Sequence, residues 1–420
     1  MAIALHPFKT SRSRRAILQA GLLGVAGFNV GSAQAAAEFQ MTEATHLVSG
    51  KNAEWVRAAI KLMWQDRSMA GITPLVRLQV PFNQGISIYL KNEAKSPSGS
   101  LKHRVAWALI MSALVDGKIG PQTRLYEASS GNTAIGEAYF ARLLGLPFTA
   151  VMRPGISEGK ILAIRSYGGQ AETVASGVAP SDFIANAVAR DPLAYNLDQF
   201  ANTQKALDHF DGTPSASMNM ANEIFRQFEA ADQPCPTWFV AGAGSGGTAT
   251  SIGRYLRKWA DYNRRNCPAQ LVVVDPEDSA LFDWFKTGDP KLTVPNGSRI
   301  EGIGTRGPVL FGSTFSLLRE GVSRMMRVPD ADSIAAMHLA AKLTGQEAGP
   351  STGTNLYGAF QLVDEMNRQG RTGSVVSIIC DDGSRYRSNY YDPQWISASK
   401  LDYGDRLRRL ENFWTSGRWS

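Results

Sequence analysis

The chain has 420 residues, 44% hydrophobic and 19% charged, which supports a sizeable folded core, excludes disorder over most of the length and suits two α/β lobes better than one small module. The formal charge is +7, but Lys9, Arg12, Arg14 and Arg15 bring four positive charges and no acid falls among the first 35 residues, so the remainder, seven less four, stands near +3. Its basic residues are dispersed without aromatic interleaving, so no nucleic-acid partner is expected, and Arg406-Leu407-Arg408-Arg409 reads as a solvated helix face.

At the N-terminus, Ser13-Arg14-Arg15-Ala16-Ile17-Leu18 sets paired arginines before the mildly apolar, glycine-containing run Ala20 to Val30, and Ala33-Gln34-Ala35 offers a small-residue cleavage site. Residues 1–35 therefore read as a twin-arginine signal peptide, which implies the twin-arginine export machinery as a partner and a periplasmic or secreted location. An ordinary amphipathic helix is the competing reading, weakened by the glycines and the missing acids. The apolar core is too short and glycine-rich for a span of roughly 20 apolar residues, so no membrane span is expected in the mature chain. Cys235, Cys267 and Cys380 are an odd set without paired spacing, so neither a disulfide framework nor a metal site is expected. Cys380 ends an apolar run and reads as core.

Next, Asn52 to Gln65 has helical periodicity and Ile86 to Asn92 reads as a strand. Thr123 to Tyr126, Pro147 to Met152 and Ala171 to Val174 read as strands alternating with helices at Ala134 to Leu144, Gly159 to Tyr167 and Ser181 to Ala189. A second series has strands at Thr237 to Ala241, Leu271 to Asp275 and Val375 to Cys380. This rhythm predicts an α/β fold with two open parallel-sheet lobes around one cleft. Residues 36–90 plus 200–390 are assigned to a large lobe, 91–199 to a small mobile lobe and 391–420 to an aromatic tail that straps onto the body or a second subunit.

Chemistry concentrates in the joints. Ser96-Pro97-Ser98-Gly99-Ser100-Leu101-Lys102-His103-Arg104 presents one lysine where a small-residue turn runs into the apolar helix Val105 to Leu114; a lysine partly desolvated there can serve as an amine nucleophile. Its plain alternative is a surface lysine after a turn. Glu127-Ala128-Ser129-Ser130-Gly131-Asn132-Thr133 gathers hydroxyls, an amide and N–H groups where a helix begins, a setting that suits a carboxylate. Gly242-Ala243-Gly244-Ser245-Gly246-Gly247-Thr248 reads as a phosphate cup. A third loop, Gly349-Pro350-Ser351-Thr352-Gly353-Thr354-Asn355, offers a hydroxyl before Leu356 to Met366. Any one of these taken singly is a capped helix; all three are expected at strand-to-helix junctions, where open α/β sheets bind ligands.

Taken in this order, from about Trp55 to about Tyr391, these motifs resemble the fold type II pyridoxal-phosphate enzymes, the tryptophan synthase β-like fold, in the branch of cysteine synthase and cystathionine β-synthase. The resemblance implies pyridoxal 5'-phosphate in the cleft, joined as an imine to Lys102. It implies Asn132 at the cofactor's phenolic oxygen, Gly244, Ser245, Gly246, Gly247 and Thr248 around its phosphate, and Ser351 facing its pyridine nitrogen. Ser129, Ser130, Thr133 and Gln199 would hold the carboxylate of a small amino-acid substrate. Gly302-Ile303-Gly304 and Asp382-Gly383-Ser384-Arg385-Tyr386 match loops lining the same cleft, and a homodimer is expected. Within the branch, Gly99-Ser100-Leu101-Lys102-His103-Arg104, Glu137-Ala138-Tyr139-Phe140 and Asp275-Pro276-Glu277-Asp278-Ser279-Ala280 are similar to the stand-alone L-cysteine desulfhydrases.

That likeness implies β-elimination on L-cysteine to hydrogen sulfide, pyruvate and ammonia, with Lys102 as the base, and leaves β-replacement, as in cysteine synthase, as the alternative. A hydroxyl at Ser351 does not hold the pyridine nitrogen protonated, which disfavours transamination. Two rivals come from other classes. Gly242 to Gly247 is a literal Gly-x-Gly-x-x-Gly with Asp275 ending the next strand, as in a nicotinamide oxidoreductase; that reading leaves Lys102 and the Ser129 and Ser351 loops without roles. An exported amino-acid-binding protein would have no use for Lys102.

Overall fold

Trp238-Phe239-Val240-Ala241 and Leu271-Val272-Val273-Val274 are unbroken apolar runs, the pattern of strands covered on both faces, and both lie in the interior of the larger of two main sheets. The computed structural model describes residues 48–419 except 157, 208–218, 264–266, 268, 308, 311, 312, 315, 316 and 318. The signal-peptide segment, 1–35, lies outside the described residues.

In chain order, α1 (Ala53–Ala70) leads to β1 (Leu75–Gln79), β2 (Ile86–Asn92) and α2 (Lys102–Val115). Then follow β3 (Arg124–Glu127), α3 (Asn132–Leu144), β4 (Phe148–Met152), α4 (Glu158–Ser166), β5 (Gln170–Thr173), α5 (Pro180–Arg190), β6 (Ala194–Asn196) and α6 (Gln199–Leu207). The second series is α7 (Met220–Ala230), β7 (Trp238–Gly242), α8 (Gly247–Asn263), β8 (Gln270–Pro276), α9 (Leu281–Thr287) and the short hairpin β9 (Val309–Leu310) and β10 (Ser313–Thr314). It closes with β11 (Arg324–Val328), α10 (Asp330–Thr344), α11 (Pro350–Arg368), β12 (Gly373–Ile379), α12 (Pro393–Ala398) and α13 (Gly404–Ser416).

The larger sheet has the order β1-β2-β12-β7-β8-β11 and is parallel except for the β1–β2 hairpin at its edge. Side chains alternate across it with a period of two. Val240, Val272, Val274 and Val375 join α10, α11 and α13 on one face, and Phe239, Leu271, Val273 and Val376 join α7 and α8 on the other. The smaller sheet, β5-β4-β3-β6, is wholly parallel. The expected α/β architecture of two parallel-sheet lobes is thus present, with an antiparallel edge strand in the larger sheet.

Three expectations need correction. Helix α1, within residues assigned to the large lobe, packs Val56, Ile60 and Met63 into the small lobe's core with α2 and α3, because its apolar stripe meets Trp107 and Ile110. The Ser351 loop is not a strand-to-helix junction: α10 precedes it, and Pro350, pre-set for a first helical turn, starts α11 one residue earlier. Cys235 and Cys267 form a disulfide, with Cα atoms 5.7 Å apart. The parallel register pairs Trp238 with Gln270, so the residues three positions before each are brought together. Cys380 lies in the core as expected, and it also lines the cavity between the lobes. The aromatic tail lies on the body, where Trp419 stacks on Phe413 with ring centres 4.2 Å apart and Phe413 packs on Phe82 and Phe360.

Candidate active site

Lys102 is positioned by backbone. Gly99, at φ +73°, reverses the chain as an L side chain rarely can, and the Ser96 hydroxyl bridges the turn by donating to Ser100 O at 2.7 Å and accepting from Ser100 N at 2.9 Å. Leu101 N then donates to Cys380 O at 2.8 Å. The first residue of α2 is thereby fixed to the end of β12, and Lys102 lines a cavity between the lobes. Burial lowers its pKa, which Cys380 and Glu137 oppose; among the described residues no carboxylate forms an ion pair with its Nζ.

The cavity wall opposite is the turn 242–248 leading into α8, closed by Gly302 and Ile303. Glycine is required here by contact and conformation. A Cβ on Gly244 would lie 2.3 Å from Gly302 O, and one on Gly246, at φ +83°, would lie 2.4 Å from Leu317 N. Gly304 N donates to Ala243 O at 2.7 Å and holds the two loops together. The buried Ser245 hydroxyl has no hydrogen-bond partner among the described residues, and the start of a long helix favours an anion. These residues fit a phosphate, and Lys102 across the cavity fits its aldehyde-bearing partner ring.

Ser351 sits buried in the first turn of α11 and lines the same cavity. Beside it the Cys380 thiol accepts from Asn355 Nδ2 at 3.2 Å, and Cys380 N donates to Thr352 Oγ1 at 2.9 Å. Burial, then Asp381, push the thiol up to about 12, so Cys380 is neutral and unreactive at ordinary pH. Asn132 also lines the cavity, but its amide is engaged by the loop after β12: Nδ2 donates to Asp381 Oδ2 at 2.5 Å, and Arg385 donates to its Oδ1. Arg385 also reaches Ser98 O at 2.6 Å, and Tyr386 donates to Asp381.

The four proposed carboxylate holders lie beside this cavity rather than in its lining. Thr133 donates to Gln199 Oε1 at 2.8 Å, Gln199 N donates to Glu127 Oε2 at 3.1 Å, and Ser129 Oγ accepts from Gly131 N at 3.3 Å. Ser130 is half-buried in the same turn. The structure thus brings Lys102, Asn132, Gly244, Ser245, Gly246, Gly247, Thr248 and Ser351 around one space, and pairs Thr133 with Gln199 outside its lining.

Asp275 does not face the cavity; its Oδ2 accepts from Phe282 N at 2.8 Å and caps α9, while burial pushes it up to about 7. A ribose-binding acid is therefore missing from its expected place, and the dinucleotide reading fails. The family model described as pyridoxal-phosphate dependent enzyme matches residues 67–381.

The chain belongs to the pyridoxal-phosphate dependent enzymes. It is 42% identical over 372 residues to L-cysteine desulfhydrase Cds1 of Mycobacterium tuberculosis (strain ATCC 25177 / H37Ra), covering 87% of this chain and 96% of the relative. It is 30% identical to cystathionine beta-synthase of Apis mellifera over 86% of this chain and 67% of that one. Among solved structures it is similar to the O-acetylserine dependent cystathionine beta-synthase of Helicobacter pylori, with TM-score 0.61, 26% identity and coverage of 77% and 97%. A hydrogen sulfide-producing enzyme of Fusobacterium nucleatum shares the fold, with TM-score 0.62, 23% identity and coverage of 76% and 97%.

The sequence reading left Asn355, Asp381, Glu127 and Glu137 without roles in the site. Asn355 lies four residues after Ser351, one helical turn on, a spacing that could have found it. Glu127 ends β3 and Asp381 follows β12, each beside a motif already read, but their partners are distant in sequence.

Proposed function

We propose that this enzyme catalyses β-elimination on L-cysteine, with water giving hydrogen sulfide, pyruvate and ammonia. The observation that carries the reading is Lys102: a desolvated amine facing a glycine turn that fits a phosphate. The likeness to an L-cysteine desulfhydrase supports the choice of substrate and reaction.

Bound through Lys102 and the turn 244–248, pyridoxal phosphate supplies an electron sink conjugated with the substrate's Cα. The chain's own residues do the rest. Thr133 and Gln199, already hydrogen-bonded to each other, seat the substrate carboxylate with Ser129 and Ser130, which turns the Cα–H bond towards Lys102. Once the substrate's amine had taken its place on the cofactor, Lys102 Nζ would be free to take that proton, and the Cβ–S bond would break with its electron pair leaving on sulfur. The proton on Nζ is available to the departing hydrosulfide. Ser351 is a neutral hydroxyl and adds no positive charge near the ring.

The proposal extends to export by the twin-arginine machinery and to a homodimer. The paired arginines support export, and so does the Cys235–Cys267 disulfide, since such bonds persist in oxidising compartments. Purified holoenzyme given L-cysteine should release sulfide and pyruvate in equal amounts. Faster cysteine formation from O-acetylserine plus sulfide would replace this reading with β-replacement.

A further inference from the structure

Glu137 lies on α3, fully buried, and neither of its carboxyl oxygens has a donor among the described residues. Its place follows from Gly136. A Cβ there would meet Ala106 Cβ at 3.0 Å and Lys102 O at 3.3 Å, so α2 and α3 approach closely at the lysine. Glu137 stands one helical turn beyond Thr133, which holds Gln199 against Glu127 at the end of β3, and Glu127 and Lys102 are the charged groups that act on it. Glu127 in turn faces Asp198, before α6, and accepts from Gln199 N and Nε2 at 3.1 and 3.4 Å.

Two ionised carboxylates side by side, with no donor for Glu137, would repel each other in a buried site. One proton between them satisfies both: an O–H on Glu137 donates to Glu127, while Glu127's other contacts are the donors of Gln199. Burial and the neighbouring Glu127 raise Glu137 well above its ordinary range, and burial with Asp198 raises Glu127 to about 7.

We propose that Glu127 and Glu137 share one proton and together hold a single negative charge near Lys102, acting as positioning residues that set the lysine's basicity and tie it, through Gln199 and Thr133, to the seat of the substrate carboxylate. The charge supports the ammonium that Lys102 becomes on taking the Cα proton. The proton moves only from Cα to Nζ, and the carboxyl pair keeps its own. This inference rests on the reading of Lys102 as the reactive amine, and not on the identity of the substrate.

The test is the rate at which the full-length apoprotein captures pyridoxal phosphate as a function of pH, because capture needs neutral Nζ and its midpoint reports the amine's titration. Glu137→Gln and Glu127→Gln each leave one carboxylate and a hydrogen-bonding amide, so each should keep the parent's midpoint within about 0.3 pH unit, while the double variant removes the charge and should shift it down by about 1 unit. A double variant with the parent's midpoint, or single variants shifted as far as the double, would overturn the proposal. Should the double variant not fold, infrared difference spectra of the parent decide: a carboxylic-acid C=O band at neutral pH, lost in Glu137→Gln, is expected, and its absence refutes the shared proton. Neither readout involves L-cysteine, so failure of the proposed elimination leaves both intact.

Discussion

Gly244→Ala puts one methyl group where the phosphate turn meets the 302–304 loop. The added carbon would stand 2.3 Å from Gly302 O and 3.2 Å from Gly302 C, so the two loops must part by roughly 1 Å to reach ordinary contact. That movement strains or breaks the Gly304 N to Ala243 O hydrogen bond of 2.7 Å, which is worth about 1 kcal/mol. Overpacking of a rigid backbone contact adds about 1–3 kcal/mol. The sum, about 2–4 kcal/mol, corresponds to roughly 30- to 1,000-fold weaker cofactor binding, provided the loss falls on the cofactor-bound state. The assay is a titration of apoprotein with pyridoxal phosphate followed by visible absorbance, alongside thermal unfolding with and without cofactor. We expect the variant's apoprotein to unfold within a few degrees of the parent while the cofactor-induced stabilisation shrinks. Affinity within threefold of the parent would refute the reasoning that this turn is packed to hold the phosphate.

Glu223→Gln removes the anion from a buried cluster in which Arg104 donates to Glu223 at 2.7 Å and to Glu93 at 2.8 Å, Lys91 lies 2.9 Å from Glu223, and Arg67 also pairs with it. Leaving those cations short of one anion should cost about 3–5 kcal/mol, a fall in Tm on the order of 10 °C by calorimetry at pH 7; a fall under 2 °C would contradict the expectation. Burial alone would raise Glu223, but Arg104, Arg67 and Lys91 hold it well below the ordinary glutamate value. Its contribution is therefore complete above the unfolded value of about 4.3 and lost as pH falls below it, so the variant's Tm should decline less than the parent's between pH 5 and pH 3, taken as rough bounds of that window. Gln199→Leu leaves the Thr133 hydroxyl without its acceptor and removes the Nε2 donor to Glu127, whose bond from the Gln199 backbone N remains; it should raise KM for the amino acid about tenfold or more, the price of unpaired buried polar groups, with cofactor affinity kept, and unchanged KM in steady-state assays would remove Gln199 from the substrate seat. Cys235→Ser should expose one thiol at Cys267 to a thiol reagent in the native protein, where the parent exposes none, since Cys380 is buried.

Local pattern carried most of the fold into view. The strands at 86–92, 148–152, 238–242 and 270–276 announce themselves by apolar runs between glycine-bearing turns, and the lysine and phosphate turns by small residues at helix starts. What stayed hidden depends on pairings across the fold. The register of β7 and β8 makes Cys235 and Cys267 neighbours across 32 residues, and no spacing rule contains that register. Helix α1 is amphipathic in sequence, but which lobe its stripe meets is decided by Trp107 and Ile110, far along the chain. β1, β6 and β11 are short edge strands whose mixed composition gives little period-two signal. Glu127 and Glu137 look like an ordinary strand end and an ordinary helix residue until Gly136 draws α3 against α2.

Function in this enzyme depends on one covalent bond, between Lys102 and the cofactor. Reducing the holoenzyme with borohydride and mapping its peptides by mass spectrometry should place a pyridoxyl group on Lys102, and Lys102→Ala should leave no reducible adduct and no sulfide release from L-cysteine. A pyridoxyl group on another lysine, or undiminished turnover by the alanine variant, would contradict it.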